Sequence, residues 1–198
     1  MRQHENISAV AALQPDFMGF IFYEKSKRFV GNDFTIPNSF PKPTKRVGVF
    51  VNEPIESVLE KVSIHQLDFV QLHGNERAVE CKKLKSKVGV IKAFPVDEHF
   101  DFAETKPFVP FVDFFLFDTK SPDYGGSGKK FDWNLMKKYQ EIVPFFLSGG
   151  ISKKNLSDIK AVNLPQFFAI DLNSGVEIEP ALKDIEAIQS IQTKLRNI

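Results

Sequence analysis

The stretch 114–133, FFLFDTKSPDYGGSGKKFDW, decides how the rest of the chain is read. It opens on a continuous apolar run, Phe114–Phe117, the pattern of a strand buried on both faces. The run ends on a carboxylate, Asp118. A loop comes next, in which Pro122 precedes Gly125, Gly126 and Gly128, gathered around Ser127. Barrels and open sheets of the α/β class place their chemistry at the C-terminal ends of such strands. Glycines there let backbone N–H groups approach an anion closely. The same glycines could serve only as turns, with Asp118 capping the loop. The combination of Asp-Thr-Lys, Tyr-Gly-Gly-Ser-Gly and Phe-Asp-Trp favours a site over a plain loop.

Outward from this stretch, strand and helix patterns alternate to both ends of the chain. Phe17–Phe22, Val47–Val51, Phe69–Leu72, Val88–Ala93, Phe145–Leu147 and Phe167–Ile170 read as further strands. Between them lie helical stripes: Ile7, Val10 and Ala11; Ile55, Val58, Leu59 and Val62 after Pro54; Ala78, Cys81 and Leu84; and Leu135, Met136 and Tyr139. Residues 99–104 are expected to form a short helix. Ser152 is expected to cap a helix over Leu156–Val162, and Ala181–Leu195 to form the last one. Alternation of this kind implies a parallel sheet, here in one domain spanning residues 1–198. Two closures compete, an open doubly wound sheet and an eight-stranded barrel. The pattern yields seven strands and starts on a helix, so a barrel would be one strand short at its front.

The 26 Lys and Arg against 25 Asp and Glu argue against a nucleic-acid partner, and no basic run reverses that. One cysteine, Cys81, excludes an internal disulfide framework and fits a reducing, cytoplasmic compartment. No stretch has the apolar length of a membrane span, and the polar start MRQHENIS shows no secretory signal. The 21 phenylalanines are expected to fill core positions.

Candidate site residues stand at the strand ends. Arg28 comes after Phe17–Phe22, His73 after Phe69–Leu72, and Asp171 after Phe167–Ile170, while Asp118 ends the central strand. Any one of them could be a satisfied loop residue; four converging on one rim point to a pocket. Ser148-Gly149-Gly150 and Asn173-Ser174-Gly175 each leave a strand toward a helix, the arrangement of a phosphate site in this barrel class. Cys81 lies on the apolar face of a helix and reads as a small buried hydrophobe. No cluster has metal-ligand spacing.

Taken together, GFIFYEKSKR (19–28), RVGVFVNEP (46–54), VQLHGNE (70–76), FDTKSPDYGGSGKKFDW (117–133), LSGGIS (147–152) and AIDLNSGVE (169–177) resemble the phosphoribosylanthranilate isomerase family in order and spacing. The resemblance implies a (β/α)8 barrel, a phosphorylated small-molecule substrate, no cofactor or metal, and a monomer or homodimer. It implies an Amadori rearrangement in tryptophan biosynthesis. Asp118 would be the general acid, Arg28 would hold the anthranilate carboxylate, and His73 and Asp171 would line the pocket. The backbone around Gly149, Gly150, Ser174 and Gly175 would take the phosphate. One departure stands out. The family's first strand reads like Lys-Ile-Cys-Gly and supplies the general-base cysteine, whereas MRQHENI resembles the residues just after that segment. The expectation is therefore an isomerase short of its first strand and its base. The alternative is a catalytically silent phosphate-binding barrel; another phosphate-dependent barrel enzyme does not explain VQLHG beside DYGGSG.

Overall fold

Strand parity builds the architecture. The computed structural model describes residues 1–37, 39–120, 131–159 and 162–196; the glycine-rich loop singled out above, Pro122 to Gly128, lies outside the described residues. Seven parallel strands pair in chain order: β1 (Phe17–Ile21), β2 (Lys45–Phe50), β3 (Phe69–Leu72), β4 (Gly89–Val96), β5 (Phe114–Thr119), β6 (Phe145–Leu147) and β7 (Phe167–Ile170). A doubly wound sheet would reverse its order partway, so sequential pairing decides for the barrel class. The sheet is curled. Phe17 on β1 packs its ring on Phe114 of β5 at 5.9 Å and Phe146 of β6 at 5.1 Å, contacts that a flat sheet of this order forbids.

Alternation then sorts the side chains. Val47, Ile91, Ala93, Leu116 and Phe146 form one buried cluster inside the curl. Their neighbours along the strands, among them Phe50, Val70, Val90, Phe115, Phe117 and Phe145, form the larger core beneath the helices. The phenylalanines fill or pack against core positions on both sides of the sheet, apart from Phe168, which is 51% exposed.

The helical layer contains α1 (His4–Ala11), α2 (Ile55–His65), α3 (Ala78–Lys85), α4 (Leu156–Ile159) and α5 (Ile185–Arg196). Among the described residues no helix comes after β1 and before β2; the chain there makes turns and one bridge, Ile21 to Phe29. Several expected helices differ. The 99–104 segment becomes a 3-10 helix, Phe102–Phe111, because Pro107 and Pro110 remove backbone donors. Trp133–Lys138 is also 3-10, started by Asp132, whose side chain accepts from the Asn134 N–H. Among the described residues Ser152 caps no helix: Asn155 Oδ1 accepts from the Ser152 N–H at 2.9 Å, and the described part of α4 is Leu156–Ile159. The last helix starts at Ile185 rather than Ala181, because Glu177–Glu179 (β8) and Leu182–Lys183 (β9) form a small antiparallel hairpin first. Ala181 turns it with φ +73°.

Among the described residues no strand lies between β7 and β1. Those two edges face one another across a cavity of about 860 Å³, which α1 and α5 back through Val10, Ile188 and Leu195. At the bottom, the rings of Phe17 and Phe168 meet across the opening at 6.1 Å.

Candidate active site

The same parity that fills the curl with apolar side chains delivers polar ones to its upper rim. On β3 the inward series runs Phe69, Gln71, then His73 just past the strand. On β5 it runs Phe114, Leu116, Asp118, and on β6 Phe146, then Ser148. Each series starts on an aromatic ring at the N-terminal end and finishes on a polar group at the C-terminal end. All eight residues singled out in the sequence border the one cavity: Arg28, His73, Asp118, Asp171, Gly149, Gly150, Ser174 and Gly175.

Asp118 is 8% exposed. Its Oδ1 accepts from the Thr119 N–H at 2.8 Å, and its Oδ2 lies 3.4 Å from His73 Nε2. The His73 backbone N–H is fixed by the Phe50 carbonyl at 2.8 Å. Asp171 accepts from the Ser148 hydroxyl at 3.0 Å, and its own N–H donates to Leu147 O at 2.8 Å. Burial, and next the nearby Asp118 charge, push the Asp171 carboxyl above its ordinary value.

Arg28 is held from behind. Its Nε donates to both Glu177 oxygens at 3.0 and 2.9 Å, and its Nη2 to Glu177 Oε2 at 2.7 Å. Lys183 Nζ reaches the same carboxylate at 3.2 Å, together with Asn173 Oδ1 at 2.8 Å and Asn173 O at 3.0 Å. Burial works against a charged Glu177, but Arg28 and Lys183 prevail and hold its carboxyl below the usual range. Burial lowers Lys183, with Glu177 opposing. The guanidinium keeps its Nη1 edge unengaged by Glu177, and a carboxylate needs that edge.

The two small-residue turns sit where their backbone can meet an anion. Gly149 has φ +89°, and a Cβ there would lie 2.7 Å from the Thr119 nitrogen. Gly175 backs onto the Ile151 carbonyl so closely that a side chain cannot fit. The segments beyond them differ from those expected. α4 begins several residues beyond Gly150, and Ser174–Val176 is a 3-10 helix of 3 residues. An anion here would rest on the N–H groups of the turns and not on a helix macrodipole.

Sequence reading missed Gln71, Ser148 as a partner of Asp171, and the Glu177–Lys183 pair. Gln71 and Glu177 lie inside the conspicuous blocks VQLHGNE and AIDLNSGVE, but their roles arise from side chains meeting across the fold. Cys81 is fully buried on α3, and burial pushes its thiol up to about 11. Among the described residues no three His, Cys, Asp or Glu side chains stand together as metal ligands, and no helix is long and apolar enough to cross a membrane.

Comparison with known proteins gives one answer. The family described as N-(5'phosphoribosyl)anthranilate (PRA) isomerase matches residues 1–194. The N-(5'-phosphoribosyl)anthranilate isomerase of Parabacteroides distasonis is 48% identical over 194 residues, covering 96% of this chain and 88% of that protein. The crystal structure of phosphoribosyl anthranilate isomerase from Thermotoga maritima superposes with a TM-score of 0.86 at 35% identity, covering 100% of this chain and 96% of that one. A phosphoribosyl anthranilate isomerase in complex with reduced 1-(o-carboxyphenylamino)-1-deoxyribulose 5-phosphate superposes with a TM-score of 0.83 at 31% identity, with the same coverage. With strands in barrel order, four polar side chains on one rim and two glycine turns beside them, the chain belongs to the N-(5'-phosphoribosyl)anthranilate isomerase family, whose enzymes serve tryptophan biosynthesis.

Proposed function

We propose that the cavity rim performs the family's rearrangement, N-(5-phosphoribosyl)anthranilate to 1-(2-carboxyphenylamino)-1-deoxyribulose 5-phosphate, in the cytoplasm, with residues 1–198 acting as one barrel domain. The observation that carries this reading is the convergence of Arg28, His73, Asp118 and Asp171, with both glycine turns, on one cavity. Asp118 is the general acid. It gives its proton to the furanose ring oxygen as the C1′–O bond breaks, and the anthranilate nitrogen lone pair forms the C=N bond. A base then takes the C2′ proton, leaving an enolamine that becomes the ketone. The Nη1 edge of Arg28 holds the anthranilate carboxylate. N–H groups near Gly149, Gly150, Ser174 and Gly175 take the phosphate, anchoring the end of the substrate that does not react.

The only thiol in the sequence is Cys81, which lies on the far side of the sheet from the rim and holds its proton up to about 11. A positioned base contributes about 10²–10⁴-fold, so the 198-residue chain alone should turn over slowly. The same observation favours a second reading, a barrel that binds the phosphorylated ligand and does no chemistry.

Titration with the reduced product analogue and steady-state turnover, each on the parent chain and on Asp118→Asn, separate the two. The isomerase reading expects both proteins to bind the analogue within about tenfold, or ~1.4 kcal/mol, and only the parent to turn over. An Asp118→Asn variant that keeps most of its kcat takes Asp118 out of the acid role. Analogue binding without any measurable turnover in the parent identifies the silent barrel.

A further inference from the structure

Gln71 and His73 stand two residues apart on β3 and its extension, so their side chains share the inward face of the curl. They touch: Gln71 Nε2 lies 2.9 Å from His73 Nδ1. An amide nitrogen has protons to give and no lone pair to offer, so this contact exists only if Nδ1 is the acceptor. An Nδ1 that accepts leaves the ring proton of a neutral imidazole on Nε2. That nitrogen lies 3.4 Å from Asp118 Oδ2. The other Asp118 oxygen already accepts from the Thr119 N–H at 2.8 Å. One carboxylate oxygen is fixed by the main chain, and the tautomer of His73 decides whether an N–H or a lone pair stands near the other.

We infer that Gln71 is a positioning residue that holds His73 in the Nε2–H tautomer and thereby sets an N–H, rather than a lone pair, beside Asp118. Two positions along one strand thus set the direction of a proton toward a second strand. The consequence for chemistry rests on the isomerase reading. An acid that has given up its proton to the ring oxygen is left as a carboxylate, and the His73 Nε2–H meets the charge as it develops. The amide does this without carrying charge. A carboxylate in its place would accept from Nδ1–H and favour a charged ring.

Nitrogen-15 NMR of histidine-labelled protein tests the inference on the 198-residue chain, above the titration range of its histidines and without need of turnover. A His73→Asn variant identifies the His73 signals among the 4 histidines. The expected spectrum has an unprotonated Nδ1 and a protonated Nε2. In Gln71→Glu, Nδ1 should carry a proton; in Gln71→Leu, the two tautomers should mix. Unchanged signals from His4, His65 and His99 report that each variant is folded. A protonated Nδ1 in the parent chain, or a His73 spectrum that ignores both substitutions, overturns the inference. Either result leaves the isomerase reading standing, because turnover does not enter the measurement. Conversely, a chain that proves catalytically silent still has a tautomer to report.

Discussion

The bottom and the top of the curled sheet are built from the same strands and do opposite things. At the N-terminal end, Phe17, Phe69, Phe114, Phe146 and Phe168 pack ring against ring, with centroids 4.8 to 6.1 Å apart. Further along β3 and β5, the same inward face carries His73 and Asp118. The floor is held by edge-to-face and tilted aromatic pairs, each contributing about 0.5–1.5 kcal/mol beyond the area it buries. The rim is held by hydrogen bonds between side chains from different strands, and its groups carry charge in a place where burial disfavours charge. One end is organised to be stable and the other to be polar at some cost in stability.

If that division holds, substitutions at the two ends should separate cleanly. Phe146 is 5% exposed and packs on Phe17, Phe114 and Phe168. Phe146→Ala should cost about 3–5 kcal/mol of stability, read by denaturant unfolding, and leave affinity for the product analogue nearly intact in the protein that remains folded. A loss of stability below ~1 kcal/mol, well short of the cavity cost of such a truncation, would mean that the floor is not the stabilising end.

At the rim, Gly149→Val forces a β-branched residue into φ +89°, where non-glycine residues cost about 1–3 kcal/mol, and sets its Cβ against Thr119. Inorganic phosphate should protect the parent chain against heat by mass action and the variant far less. Equal protection of both would remove the turn from the phosphate site.

Asp171 gives the smallest effect and the opposite sign. Its folded-state carboxyl titrates above the ordinary 3.8, so the folded protein binds that proton more tightly than the unfolded chain does. Its contribution is therefore favourable at low pH and is lost as pH rises through the folded value. Asp171→Asn should raise the melting temperature at neutral pH, with the gain vanishing as pH falls below 3.8. A variant less stable than the parent at neutral pH would show that the Ser148 hydrogen bond outweighs the burial of the charge.

The two ends are not equally legible in the sequence. The strands are, because runs such as Phe114–Phe117 and Val47–Val51 are long, apolar and bounded by turn residues. Their order and their curl are not, since periodicity reports burial and not neighbours. The rim residues can be found because each stands at or beyond a strand end: Arg28, His73, Asp118, Asp171. Their supports cannot, because Gln71 to His73 is a matter of side-chain direction, and Arg28 to Glu177 spans 149 residues. The hairpin β8–β9 partly overlaps a stretch whose pattern suits a helix, since strands of 3 and 2 residues leave no period to detect. The 3-10 segments Phe102–Phe111 and Trp133–Lys138 escape because apolar spacing alone does not separate them from an α-helix.

Asp118, the proposed acid, borders the cavity, and Cys81, the one cysteine of the sequence, does not. The most direct test is turnover of phosphoribosylanthranilate by the 198-residue chain and by the same chain with Lys-Ile-Cys-Gly placed ahead of Met1. Among the described residues β1 and β7 end the strand order and face one another across the cavity that Asp118 borders, where an added strand and its cysteine would fit. The predicted result is a rise in kcat of about 10²–10⁴-fold, abolished when the added cysteine is replaced by alanine. Equal rates with and without the added segment would contradict the account and assign the base to a residue already on the rim.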